Sequence, residues 1–253
     1  MKRLCYLLFA LFLAACGEKE AASQPEFIAH AGGEIDGYIY TNSLEAIEKS
    51  IAEGYKYIEI DFSITADSVV VAAHDWAGYN KDTGFAHKGD TAPVLADFKA
   101  RRLHGVYTPL TAAEVNEIFE KDTSLVLVTD KISSPDILAH NFPALKERMV
   151  VEAFSYSDYV ALLDAGYMRV LYSVLACDLS ASIKKHLLFH FFNSEPKIEW
   201  LAVHTSAFDY PLFKFMLAVA DFNIALFTIN DMRDIPQKYA DRVKMIYTEN
   251  IKP

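Results

Sequence analysis

Cysteine is scarce in this chain, with three in 253 residues, at Cys5, Cys16 and Cys177. So few thiols exclude a disulfide-stapled scaffold, so stability must come from an apolar core, which a chain of this length can build. Basic residues are also short, with 24 Lys and Arg against 34 Asp and Glu, a formal charge of −10. Such a field repels a phosphate backbone, and nucleic acid is not an expected partner. Repeats, heptads and low-complexity tracts are lacking too. The apolar run from Leu4 to Leu13 is too short to cross a bilayer comfortably. What the chain has instead is an ordinary globular composition, 52% hydrophobic and 23% charged, which rules out disorder for most of its length.

The first residues read as an address. Lys2 and Arg3 precede the apolar run, and Ala14, Ala15 and Cys16 follow it, the order of a secretory signal over residues 1–15. Leu13-Ala14-Ala15-Cys16 resembles a bacterial lipobox, in which cleavage before the cysteine leaves that residue to carry lipid. Cys5 would depart with the signal and Cys177 would be the remaining thiol, so no internal disulfide is expected. Residues 16–26 then form a lipidated cysteine with a polar tether, and 27–253 the folded domain. The expected location is the bacterial cell envelope, lipid-anchored on its periplasmic or surface side.

Beyond the tether, short β-rich runs alternate with helical patterns. Strands are expected over Phe27 to Ala31, Tyr57 to Phe62, Leu125 to Asp130, Met149 to Phe154, Arg169 to Val174, Trp200 to His204, Asn223 to Thr228 and Lys244 to Thr248. Apolar residues recur at helical spacing over Ser43 to Glu53, Ala112 to Lys121, Pro135 to Arg148, Ser180 to Phe192 and Pro211 to Ala220. Asn42 with Glu45 reads as an N-cap and box partner for the first helix. Strict alternation implies parallel strands under covering helices, and eight strands match a (β/α)8 TIM barrel, with a doubly wound open sheet as its rival. The stretch 64–110 is too long for one loop and contains a strand-like run, Val69 to Ala73, so it reads as an insertion after the second strand. The chain ends soon after the eighth strand, so a truncated C-terminal helix is expected.

Polar residues gather where the apolar runs end, the face on which barrels place chemistry. His30 closes the first run. In Tyr57-Ile58-Glu59-Ile60-Asp61, period-two alternation puts both carboxylates on one face. Adjacent buried carboxylates repel and need a counter-charge, which a divalent cation, Mg²⁺ or Ca²⁺, supplies through oxygen ligands, with Asp130 as a third. A solvated face for Glu59 and Asp61 is the competing reading. His74 ends a second run and pairs with His30 as an acid/base candidate. His204 ends another and is a candidate to line the site. His87, His104, His140, His186 and His190 read as surface or packing residues.

In order, these residues resemble the glycerophosphodiester phosphodiesterase family, within the superfamily that includes phosphatidylinositol-specific phospholipase C. The matching text is Ile28-Ala29-His30-Ala31-Gly32-Gly33, Thr41-Asn42-Ser43-Leu44-Glu45-Ala46, Ile58-Glu59-Ile60-Asp61, Thr65-Ala66-Asp67, Val71-Ala72-Ala73-His74-Asp75 and Pro109-Leu110-Thr111. Weaker matches are Val151-Glu152-Ala153-Phe154, Phe227-Thr228-Ile229-Asn230 and Ile246-Tyr247-Thr248-Glu249. The resemblance implies one divalent cation on Glu59, Asp61 and a later carboxylate, with His30 and His74 as acid and base, acting on a small phosphodiester. Three positions depart. Ala31 stands where the family has a phosphate-binding arginine, so Lys131 is expected to supply the cation, with Gly32 and His204 also on the substrate. Thr129-Asp130-Lys131 replaces Glu-x-Lys, which requires the strand to end or bulge at Asp130 for both side chains to reach the site. Phe227 replaces a tryptophan.

Three readings follow: a metal-dependent phosphodiesterase, a lyase of the phospholipase type that stops at a cyclic phosphate, and a lipoprotein that binds phosphodiesters or glycans without turnover. A retaining glycosidase fits poorly, because carboxylates two apart on one strand do not flank a bond from opposite sides. The lipobox makes one prediction that needs no fold. Cys16→Ser is expected to stay unprocessed or to leave the membrane fraction on fractionation, and unchanged processing and partitioning would overturn the anchor.

Overall fold

The structure is a computed structural model and describes residues 24–174 and 195–253. The signal, Cys16 and most of the tether, together with Cys177, His186, His190 and the helix expected over Ser180 to Phe192, lie outside the described residues.

Eight parallel strands close a barrel: β1 (Glu26–Ala29), β2 (Tyr57–Ile64), β4 (Val126–Asp130), β5 (Met149–Ala153), β6 (Val170–Val174), β7 (Trp200–His204), β8 (Asn223–Phe227) and β9 (Val243–Thr248). Closure is made at β1, where Ile28 pairs with Tyr57 on one side and Tyr247 on the other. The open-sheet alternative is thereby excluded. Both faces of each strand are buried, which is why the strands read as almost continuous apolar runs. One set of alternate residues, Ile28, Val128, Val150, Leu171, Ala202, Ala225 and Met245, packs together inside the barrel. The other set, including Ile58, Leu127, Val151, Val203 and Ile246, packs outward against the helices.

The helices Leu44–Ala52, Ala112–Lys121, Pro135–Asn141, Tyr156–Asp164 and Pro211–Val219 cover that outer face. Two expectations are corrected. The pattern over Pro135 to Arg148 is not one helix: it ends at Asn141 and resumes as a 3-10 turn at Lys146–Arg148. Pro143 explains the break, because it lacks an amide proton and excludes the helical region for the residue before it. Asn42 does not cap the first helix either. Ser43 does, accepting from the Ala46 amide, while Asn42 adopts φ 47° and turns elsewhere. Glu45 leaves its expected box and binds the Thr108 amide and hydroxyl, both at 2.7 Å.

Between β2 and the helix Ala112–Lys121, the insertion builds a small core of its own around Val71, Tyr79, Phe98, Leu103 and Tyr107. Its decisive part is β3 (Val70–Ala72), which folds back antiparallel on the overhanging end of β2, pairing Ala72 with Phe62. Among the described residues no helix follows β9. The short tail packs on the outer core cluster, and the Ile251 carbonyl accepts from the Tyr55 hydroxyl at 2.5 Å.

Candidate active site

The inward positions that are apolar along the barrel become polar at the carboxyl ends of its strands. Continuing each inward row by two residues gives Glu59 and Asp61 on β2, Asp130 on β4, Glu152 on β5, Ser173 on β6 and Tyr247 on β9. With His30, His74, Lys131, Phe154 and Phe227 they line one cavity of about 400 Å³. Register sets the centre of it. Asp61 and Asp130 are direct neighbours across β2 and β4.

Each of the three carboxylates has one oxygen engaged. Glu59 Oε2 accepts from the Ala31 amide at 2.6 Å, Asp61 Oδ2 from Asn42 Nδ2 at 2.9 Å, and Asp130 Oδ1 from the Lys131 amide at 2.7 Å. Glu59 Oε1 and Asp61 Oδ1 are buried without a hydrogen-bond partner. Candidate ligand oxygens of Glu59, Asp61 and Asp130 all lie within 4.8 Å of one another. Burial first, then Asp61 and Asp130, holds the Glu59 carboxyl well above the usual carboxylate range. Burial and Asp61 likewise push Asp130 up to about 6. Orphaned oxygens and raised carboxyls are the signature of a missing positive charge, and an all-oxygen donor set suits a hard divalent cation such as Mg²⁺ or Ca²⁺. The residues present therefore fit a metal.

The register problem at Asp130 and Lys131 is solved by the chain itself. Strand β4 ends at Asp130, and Lys131 adopts φ 67°, which swings Nζ back to 3.8 Å from both Asp61 Oδ1 and Asp130 Oδ2. Lys131 is the one Lys or Arg side chain lining this cavity among the described residues.

Both histidines are backed by carboxylates at Nδ1. His74 is delivered by the β2–β3 hairpin, where the Ala73 amide donates to the Asp61 carbonyl at 3.0 Å, and its Nδ1 lies 2.6 Å from Asp75 Oδ2. Asp75 also accepts the Gly78 amide, and these two contacts hold its carboxyl below the usual value. His30 Nδ1 lies 3.3 Å from Thr228 Oγ1 and 3.8 Å from Glu249 Oε1. His30, followed by Asn230, holds the Glu249 carboxyl down. Such contacts leave Nε2 as the free nitrogen of each ring. Between them stands Tyr40, edge-on to both imidazoles at centroid distances of 4.8 and 4.9 Å.

Two candidates fall outside the cavity lining. Gly32 sits at φ 83°, the left-handed region that favours glycine, and a Cβ there would meet Ala46 and Ile47 at an ordinary 3.5 Å, so the turn after His30 and not a substrate contact accounts for it. His204 stands at the rim, its Nδ1 occupied by the Ser206 amide and hydroxyl and its ring edge-on to Phe227. Other residues were missed. Asn42 grips Asp61 twice, donating to its carboxylate and accepting its amide at 3.0 Å, yet its sequence context reads as a helix cap. Glu152 accepts from the Tyr247 hydroxyl at 2.5 Å, and burial, then Asp130, pushes its carboxyl up to about 8. A lone carboxylate at an inward position of an apolar run was the available signal.

Residues 31–155 match the model of the glycerophosphoryl diester phosphodiesterase family. The chain belongs to that family. The matched stretch contains Glu59, Asp61, His74, Asp130 and Lys131, and His30 immediately precedes it. A human lysophospholipase D is 39% identical over 61 residues, 22% of this chain and 19% of that protein, so the chain matches under a fifth of that relative's length. Among solved structures, a Thermotoga maritima glycerophosphodiester phosphodiesterase is 20% identical, covering 90% of this chain and 96% of its own with a TM-score of 0.63. An Oleispira antarctica phosphodiesterase in complex with the product sn-glycerol-3-phosphate is 20% identical, covering 89% and 93% with a TM-score of 0.62. At these identities the likeness speaks for the barrel.

Two predictions follow from the carboxylate geometry. Asn42→Ala is expected to weaken divalent-cation affinity by about tenfold or more, the usual scale for losing a group that orients a ligand, read by titration calorimetry. A carboxyl whose folded-state pKa lies above its unfolded value keeps its proton better when folded. Stability is therefore full below the unfolded value and falls as pH rises through the folded one. For Glu152 that window runs from 4.5 to about 8. In chelator, the thermal midpoint is expected to fall across this window, Glu152→Gln to flatten part of the slope, and added Mg²⁺ or Ca²⁺ to stabilise most at its alkaline end.

Proposed function

We propose that this chain is a metal-dependent phosphodiesterase hydrolysing a glycerophosphodiester or a related lipid-derived head-group diester. One observation carries the reading: three carboxylates with spare oxygens, two carboxylate-backed imidazoles and a lysine open on the same cavity. Family membership supports the reaction class, and the product bound to the Oleispira relative supports a glycerol phosphate arm.

Glu59, Asp61 and Asp130 would hold one Mg²⁺ or Ca²⁺, which when bound neutralises phosphoryl oxygens as charge builds on phosphorus. Lys131 adds a point charge on the same oxygens. His30, oriented through Nδ1 by Thr228 and Glu249, takes the proton of the attacking hydroxyl. His74, held by Asp75, gives a proton to the leaving alkoxide as its bond to phosphorus breaks. With water as nucleophile, the net change is one P–O bond formed and one broken. With the substrate's own neighbouring hydroxyl, a cyclic phosphate forms first and water then opens it. Lipid on Cys16 would hold this cavity at the bacterial envelope, beside lipid-derived diesters, a reading supported by the lipobox.

A panel of glycerophosphodiesters with Mg²⁺, Ca²⁺ or chelator tests the proposal. Head-group release is expected with metal and not with chelator. Glu59→Ala and Asp61→Ala are expected to lose cation binding and turnover together. His30→Ala and His74→Ala are each expected to lower turnover by about a hundredfold or more while keeping the cation, the scale of lost acid/base catalysis. Thermal midpoints on the same preparations separate chemistry from folding, and a destabilised but fully active His74→Ala enzyme would remove His74 from the mechanism. Accumulating cyclic product identifies a lyase, and diester binding without release under every condition a binding protein.

A further inference from the structure

His74 belongs to two cavities. It lines the catalytic cavity on one side, and on the other a second space of about 300 Å³ bounded by Tyr40, Asp75, Tyr79, Asp82 and Leu103. A phosphodiester has two alcohol arms, and a proton donor at His74 must touch the oxygen of the arm that leaves. A phosphoryl group held over Glu59, Asp61 and Lys131 would place that arm on the His74 side of the cavity, where the second space opens beside Tyr40.

The lining of that space has a definite chemistry. Two carboxylates, Asp75 and Asp82, reach it, and no Lys or Arg lines it. Asp75 is committed to His74 and Gly78. Asp82 is more available: its side chain is 27% exposed, and the ring nitrogen His104 Nε2 lies 3.8 Å from it, beyond hydrogen-bond distance. It is the last residue of the helix Trp76–Asp82. Tyr40, Tyr79, Ile39 and Leu103 supply aromatic and apolar surface, which suits the methylene or methyl groups around a small ammonium ion.

We propose that this second cavity receives the leaving alcohol and selects one that carries a cationic amine. The inference rests on the phosphodiesterase reading, and its test separates the two. Three diesters sharing the glycerol phosphate arm serve as substrates: glycerophosphocholine, glycerophosphoethanolamine and the uncharged-head glycerophosphoglycerol. The wild-type chain is expected to favour the two cationic heads in kcat/KM. Asp82→Asn is expected to lower their kcat/KM by about fivefold, the scale of one water-screened charge contact, and to leave glycerophosphoglycerol within about twofold. Asp82→Lys is expected to reverse the preference. An equal fall on all three substrates, or no change on any, overturns the proposal. Calorimetric binding of phosphocholine against glycerol 3-phosphate reads the same charge without turnover, so an inactive wild type counts against the phosphodiesterase reading alone. Asp82→Ser provides a second neutral replacement if the asparagine variant folds poorly.

Discussion

Mutual repulsion among carboxylates buried at one end of the barrel is the constraint that shapes everything around them. Glu59 and Asp61 are each 1% exposed, Glu152 is 5% exposed, and Asp130 sits against them. Two unit charges 4 Å apart repel by about 4 kcal/mol at an effective dielectric of about 20. A hydrogen bond to a charged group returns roughly 1.5 to 3 kcal/mol, and each carboxylate of the centre has one oxygen so occupied. Hydrogen bonds alone therefore do not close the balance. Protons make up the difference in the raised carboxyls, and a divalent cation would do so through several oxygens at once, because candidate ligand oxygens of all three residues lie within 4.8 Å of one another.

The backbone bends to serve that centre. Ala31, Asn42 and Lys131 have φ of 50°, 47° and 67°, uncommon values for residues with a Cβ. Each is a direct partner of one of the three carboxylates: the Ala31 amide for Glu59, the Asn42 side chain for Asp61, the Lys131 amide for Asp130. Such conformations cost of order 1 to 3 kcal/mol apiece and persist where the surroundings over-determine them. Here the attraction between donors and buried negative charge does so. The β2–β3 hairpin adds the fourth element, since its register fixes His74 next to Asp61 through the Ala73 amide.

Much of this was legible in the sequence because barrel strands carry their pattern locally. Period-two alternation located Glu59 and Asp61 on one face, and the eight expected strands lie within one or two residues of those observed. What escaped depends on partners far along the chain. Asn42 occupies a cap-like context, but its partner is Asp61, nineteen residues away. Glu152 and Tyr247 meet across 95 residues and only when the barrel closes. His204 continues the inward row of β7 but lies outside the cavity lining, its Nδ1 held by Ser206 two residues on, a contact that strand-end placement does not foretell.

Ala31 ties these threads together. A methyl group there donates nothing to phosphate, and the residue is fully buried with its amide committed to Glu59. On the proposed reading the positive charge for a phosphoryl group would come from a cation on Glu59, Asp61 and Asp130 and from Lys131, on the β2–β4 side of the cavity. The anionic part of a bound diester would then lie beside Asp61 and Asp130 and away from Asp75 and Asp82. With one divalent cation and Lys131 set against Glu59, Asp61 and Asp130 the catalytic cavity would be close to balanced, whereas the second cavity keeps Asp75 and Asp82 with no Lys or Arg in its lining, so a diester laid across the two would meet an electrostatic gradient whose negative end the chain itself defines.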